Sequence, residues 1–161
     1  MNELELIKSL VAGLPQNDSV VVGPGDDCAV LDCGIPGRWL LLKTDAVVEG
    51  VHFTRETPAA QVGRKALARC LSDIAAMGGT AAHAVITLAL PQDFTPAYVQ
   101  ELYQGLNALA REHGVAIVGG ETTTNAERYL VSVALTGWVD RQLCLLRSGA
   151  RPGQARSESV V

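Results

Sequence analysis

The chain has 161 residues, 48% of them hydrophobic and 19% charged, which is enough apolar surface for a core but too little length for the usual two-domain enzyme, so it reads as one soluble globular domain. Its formal net charge of -4 argues against nucleic-acid and anionic-membrane partners, because no basic patch can neutralise phosphates. Any phosphate it binds would need metal ions or backbone amides as mediators.

The first residues, MNELELIKSLVAGLP, are acidic and amphipathic, with neither the basic start nor the continuous apolar block of a signal peptide, and no other window approaches a membrane span. Cys28, Cys33, Cys70 and Cys144 form no C-x-x-C pair and have no histidine at zinc spacing, which favours reduced thiols. The expected location is cytoplasmic.

Val20 to Val22, Ala29 to Leu31 and Trp39 to Lys43 are short apolar runs punctuated by Gly, Pro and Asp, predicting a small meander of strands. From Pro58 the period changes: Leu67, Cys70, Leu71, Ile74 and Met77 recur at helical spacing, and Gly78-Gly79 supplies a left-handed stop. Ala84 to Leu90 is a buried strand closed by Pro91. Thr95-Pro96 is an N-cap with an N1 proline, opening a helix whose face is Tyr98, Leu102, Leu106 and Leu109 and which ends near Gly114. Val115 to Val118 and Leu130 to Val139 are two further strands. The order predicts an α+β domain, a mixed or antiparallel four-stranded-type sheet with helices on one face. Two good helices cannot cover both faces, so a homodimer formed through the sheet is expected. The domain is taken as residues 1–153, with 154–161 as a frayed tail.

Four acids sit at element ends beside small or hydroxyl residues: Asp27 in GDDCA, Asp45 in KTDAVVEG, Asp73 in LSDIAAMGG and Glu121 in GGETTT. Hard divalent cations such as Mg²⁺ take carboxylate, hydroxyl and carbonyl oxygens, and element ends can converge such groups. Each acid also has a local reading. Asp26 and Asp27 suit a turn after Gly-Pro-Gly, Asp45 a strand end beside Thr44, and Asp73 an i, i+4 partner of Arg69 on a wet helix face. In GGETTT, Gly119-Gly120 would let a ligand approach the backbone, with an acid and three hydroxyls in a loop beyond the strand. Neither a Walker nor a Rossmann glycine pattern is present. His52 and Arg147 are the other polar candidates. His83 and His113 read as surface helix or loop residues, and the cysteines, Trp39 and Trp138 as packing.

Taken in order, GDDCAVL, KTDAVVEGVHF, KALARCLSDIAAMGG, ITLALP, VGGETT and LRSGARPG resemble the thiamine-monophosphate kinase family. Its superfamily also holds aminoimidazole ribonucleotide synthetase, selenophosphate synthetase and a hydrogenase-maturation protein. The resemblance implies Mg²⁺-dependent transfer of the γ-phosphoryl group of ATP onto thiamine monophosphate, giving thiamine diphosphate. It further implies that Asp27, Asp45, Asp73 and Glu121 hold magnesium, assisted by Thr44 and the backbone at Lys43. His52 would lie at the thiamine phosphate, and Gly120, Glu121, Arg147 and Tyr103 at the nucleotide. No residue is expected to act as acid, base or nucleophile. Family dimers pair their N-terminal sheets into a barrel with ATP near the interface.

Three departures stand out. Glu121 replaces an aspartate, Cys70 replaces an asparagine, and Gln154 replaces an aspartate just where family members continue into a second α/β domain that is not found in this sequence. The expectation is therefore an N-terminal, Mg-ATP-binding and dimer-forming half, weakly active or inactive alone. The alternatives are a non-catalytic nucleotide-binding or dimerisation module, or a superfamily relative such as a hydrogenase-maturation protein.

Overall fold

A computed structural model describes residues 2–149; the expected tail at 154–161 and Gln154 lie outside the described residues. The elements are α1 (Glu3–Val11), β1 (Val20–Val22), β2 (Ala29–Leu31), β3 (Arg38–Val48), α2 (Ala59–Ala76), β4 (Thr80–Leu90), α3 (Pro96–Glu112), β5 (Ala116–Thr124) and β6 (Leu130–Asp140), followed by a 3₁₀ turn at Arg147–Gly149. The described strands form a six-stranded sheet in the order β1-β2-β3-β6-β4-β5, two more than the four-stranded type expected. All neighbours are antiparallel except β4 and β5. That parallel pair needs a crossover, and α3 provides it.

The helix periodicity is met closely. Thr95 accepts a hydrogen bond from the Tyr98 N–H (3.3 Å) with Pro96 in the first turn, and Gly78 at the end of α2 takes φ 74°, the left-handed stop. Helices α2 and α3 cover one face of the sheet and pack on each other. Their approach is closest where two glycines face the opposite backbone. A Cβ on Gly63 would collide with the Leu102 carbonyl, and one on Gly105 with the Ala60 carbonyl. The core beneath holds Leu41, Leu67, Ile74, Ile86, Leu106 and Leu135, all essentially inaccessible.

Two expectations change. The N-terminal segment is a third helix, started by a reciprocal Asn2–Glu5 capping box; it buries no residue and packs on no other element. Propensity and capping make α1 a helix without a tertiary partner in this chain. Secondly, GGETTT is not a loop: the parallel pairing with β4 runs on through Thr124, so backbone hydrogen bonds hold it as an edge strand.

Register decides which side chains share a face. On β3, Leu41, Lys43, Asp45 and Val47 face the helices, opposite Gly137, Leu135, Val133 and Val131 of β6. Leu42, Thr44 and Ala46 face the open side with Val85 and Thr87. That side carries exposed Leu42, Val85 and Val118 and a half-buried Trp138, so Trp138 is not in the helix-covered core. Cys28 and Cys70 are buried, whereas Cys33 is exposed, contrary to its assignment to packing. His83 is exposed, as expected, but it lies within β4.

Candidate functional site

Asp27, Asp45 and Asp73 come from a turn, a central strand and a helix, and the fold brings all three to the seam between β3 and α2. The Asp26 Oδ1 accepts from the Asp27 N–H at 2.9 Å, while its Oδ2 accepts from the Arg147 N–H at 3.1 Å. Asp26 thus closes the turn and anchors the later chain. The Asp27 carboxylate then accepts from the Arg147 guanidinium, from Nε at 3.2 Å and from Nη2.

Across the seam the ion pairs cross. Lys43 Nζ lies 2.5 Å from Asp73 Oδ2, and Arg69 Nη2 lies 3.1 Å from Asp45 Oδ1. Two residues along a strand advance about 6.7 Å and four along a helix about 6 Å, so a strand Lys-x-Asp and a helical Arg-x-x-x-Asp can pair in register. This replaces the expected Arg69–Asp73 pair within α2. A strand packed on the helix offers each group a partner that is shielded from water, which an i, i+4 pair on a wet face does not.

Electrostatics tie the seam together. Burial lowers the Lys43 pKa, but the hydrogen bond and charge of Asp73, with Asp45 behind it, outweigh that and raise it. Burial is also the leading cause that pushes the Cys28 and Cys70 thiols up to about 12, Asp73 adding to the first and Asp45 to the second. These cysteines stay protonated, and the Cys70 Sγ donates to the Val133 carbonyl at 3.4 Å. Arg147 is kept charged by Asp27 first, with Asp26 and Asp73 contributing. Asp27, Asp45, Asp73, Lys43, Arg69 and Arg147 form one balanced array.

The other candidates stand apart from it. Glu121 pairs in register with Thr87, which pairs with Ser132 and so with Ala46. It therefore lies on the open face, three strand spacings or about 14 Å from β3, on the side that Thr44 faces and Asp45 does not. Gly120 abuts the Ile86 backbone with no room for a Cβ. Tyr103 is half-buried on α3, and burial alone raises its pKa. His52 lies in the turn after β3, where the Val48 N–H donates to its Nδ1 at 3.1 Å and Lys65 Nζ donates to its carbonyl at 2.6 Å. An Nδ1 that accepts marks a neutral ring with the proton on Nε2.

Near His52 lies a cluster that sequence reasoning left unassigned. Glu49 is 8% exposed, the sole buried charged residue among those described. It accepts from Arg55 Nε at 2.5 Å and from the Tyr129 N–H at 3.0 Å. Arg55 also pairs with Asp93 and lies over the Tyr129 ring, itself 4.7 Å from Tyr98. The cluster fastens the His52 turn to the loops before α3 and β6. An acid closing an apolar strand, with an arginine six residues on, was its only trace in the sequence.

The donors suit a hard cation in kind, but not in their present placement. Among the described residues no three His, Cys, Asp or Glu side chains are gathered to hold a metal ion, and each carboxylate of the seam faces a fixed cation.

The family model described as AIR synthase related protein, N-terminal domain, matches residues 25–139. The chain belongs to that family. Among its relatives, the thiamine-monophosphate kinase of Bacillus subtilis is 35% identical over 153 residues, covering 94% of this chain and 47% of that protein. The kinase of the same name from Escherichia coli is 37% identical over 135 residues, or 83% and 40% of the two chains. A solved structure described as AaThiL complexed with AMPPCP and TMP superimposes with a TM-score of 0.77 at 34% identity, over 92% of this chain and 44% of that one. The chain thus spans about half the length of these kinases. Likeness to HypE in a solved HypE–HypF complex, at 19% identity and a TM-score of 0.70, shows a shared fold and nothing more. No described helix is long and apolar enough to cross a membrane.

Proposed function

We propose that this chain is the nucleotide-binding, dimer-forming half of a thiamine-monophosphate kinase, which moves the γ-phosphoryl group of ATP onto the phosphate of thiamine monophosphate in the cytoplasm. The observation that carries the reading is sequence identity of 34–37% over most of the chain with proteins of that name, one of them solved with an ATP analogue and TMP. The acids of the motifs quoted for the resemblance, Asp27 of GDD, Asp45 of KTD and Asp73 of LSD, are also those that lie at the β3–α2 seam.

The chemistry suits this residue set. The acceptor is an ionised phosphate, so the reaction needs positioning and charge neutralisation more than an acid–base pair. Protonated Cys28 and Cys70 offer no nucleophile. Bound Mg²⁺, held at the seam by Asp27, Asp45 and Asp73, would neutralise charge between the two polyanions, whereas Thr44 and Glu121, on the open face, stand apart from that set in one chain. Arg147 and Gly120, with Tyr103 at the helix, are the proposed nucleotide contacts, and His52, through its Nε2–H, the proposed contact to the thiamine phosphate.

The apolar open face supports the dimer. Leu42, Val85 and Val118 are exposed on it, and a second copy laid there would take them out of water. Because the chain spans about half of its relatives, a second reading stands beside this one: a nucleotide-binding and dimerisation module that does not turn over.

Calorimetric titration with AMPPCP and Mg²⁺, followed by a coupled assay of thiamine diphosphate formation, tests both. The kinase reading expects metal-dependent binding, weakened more by Asp27→Asn than by Asp26→Asn because Asp26 is spent on the turn. Binding without turnover selects the module. No binding at all overturns both.

A further inference from the structure

We infer that Lys43 is a built-in counter-cation that competes with a divalent metal ion for Asp73 and Asp45, and so sets how tightly this site holds its metal. The inference rests on the reading of these carboxylates as metal ligands, and it concerns the Lys43 side chain, whereas the family resemblance involves only its main chain.

Three carboxylates at the seam, Asp27, Asp45 and Asp73, meet three cations, Arg147, Arg69 and Lys43. The cations are not equivalent. The Arg147 side chain is 63% exposed and that of Arg69 38%, whereas that of Lys43 is 22% exposed. Arg147 stands on a 3₁₀ turn, outside the sheet. Lys43 is rooted in β3, which is hydrogen-bonded to β2 on one side and β6 on the other. Its Nζ is 2.5 Å from Asp73 Oδ2, and Asp45 follows two residues later on the same face.

A compact ammonium in that position does part of what a divalent ion would do, neutralising two carboxylates from different elements. A metal ion recruited by Asp73 must either displace the ammonium or sit beside it. Either way a unit positive charge at close range opposes the incoming ion, in a partly buried seam where screening is weak. Neutralising Lys43 should therefore tighten metal binding by about tenfold, or about 1.4 kcal/mol.

Mn²⁺ titration followed by electron paramagnetic resonance of the free ion reads affinity without any turnover. Lys43→Met keeps the length of the side chain without its charge, and Lys43→Thr is a second neutral variant that suits a strand should the first fold poorly. Lys43→Arg keeps the charge. Both neutral variants are expected to bind Mn²⁺ about tenfold more tightly than the natural chain, with Lys43→Arg unchanged and Asp73→Asn much weaker. Equal or weaker binding by the neutral variants, with Asp73→Asn still deficient, would sink the role given to Lys43 and leave the metal site standing. Tightening by Lys43→Arg as well would also sink it, because charge would not be the cause. If neither the natural chain nor any Lys43 variant binds Mn²⁺, the inference falls together with the metal-site reading.

Discussion

Gly119 and Gly120 sit side by side in β5, yet replacing each by alanine should have opposite consequences. A Cβ on Gly120 would run into the Ile86 carbonyl, with Ile86 C at 2.8 Å and Ile86 N at 3.0 Å, all of it backbone in the neighbouring strand β4; around Gly119 nothing lies within 4 Å. Main chain within a paired strand cannot step aside as a flexible side chain could. Overpacking of this kind costs about 1–3 kcal/mol, and the smaller conformational freedom of unfolded alanine returns about 0.4–1 kcal/mol, leaving a net loss of about 1–2 kcal/mol at the middle of these ranges. For a domain of this size each kcal/mol moves Tm by about 2–4 °C, so Gly120→Ala should melt roughly 2–8 °C lower. Gly119→Ala gains the same unfolded-state term without the clash and should melt at the natural temperature or up to about 4 °C higher. Differential scanning calorimetry, paired with AMPPCP titration, reads both effects. If Gly120→Ala melts normally but loses nucleotide binding, the glycine serves a ligand rather than the β4–β5 pairing, and the packing argument is wrong.

Two further outcomes follow from the same geometry. Gly63→Ala places a methyl group against the Leu102 carbonyl, 2.9 Å from its carbon, and should lower stability by about 1–3 kcal/mol in urea unfolding, whereas an exposed change such as Leu4→Ala should leave it unaltered. The Cys28 and Cys70 thiols rise from 9.0 to about 12 in the fold, so the native state holds their protons more tightly than the unfolded chain. Their contribution is full below pH 9 and declines as pH rises from there towards 12, by up to roughly 1.4 kcal/mol per pH unit for each thiol. Alkaline unfolding should be delayed in a Cys28→Ala, Cys70→Ala double variant relative to its own stability at pH 7, and thiol titration at pH 8 should find Cys33 fast and these two silent until unfolding.

The hydrophobic periods, the Thr95-Pro96 start and the Gly78 stop determined α2, α3 and the central strands, because each is a local preference that the packing then rewards. Local pattern also made α1 a helix, visible in Asn2 and Glu5, although no tertiary contact supports it. The motif residues determined the family. What sequence could not decide was which groups meet. Whether Asp73 pairs with Arg69 or with Lys43 depends on the register of α2 against β3, and whether Glu121 joins Asp45 depends on strand order and sheet face. The parallel addition of β5 also turned GGETTT from a loop into a strand, because Ile86 and its neighbours, some 35 residues earlier, supply the hydrogen-bonding edge. Local chemistry supplied the carboxylates, and only the tertiary structure decided that each would face a cation.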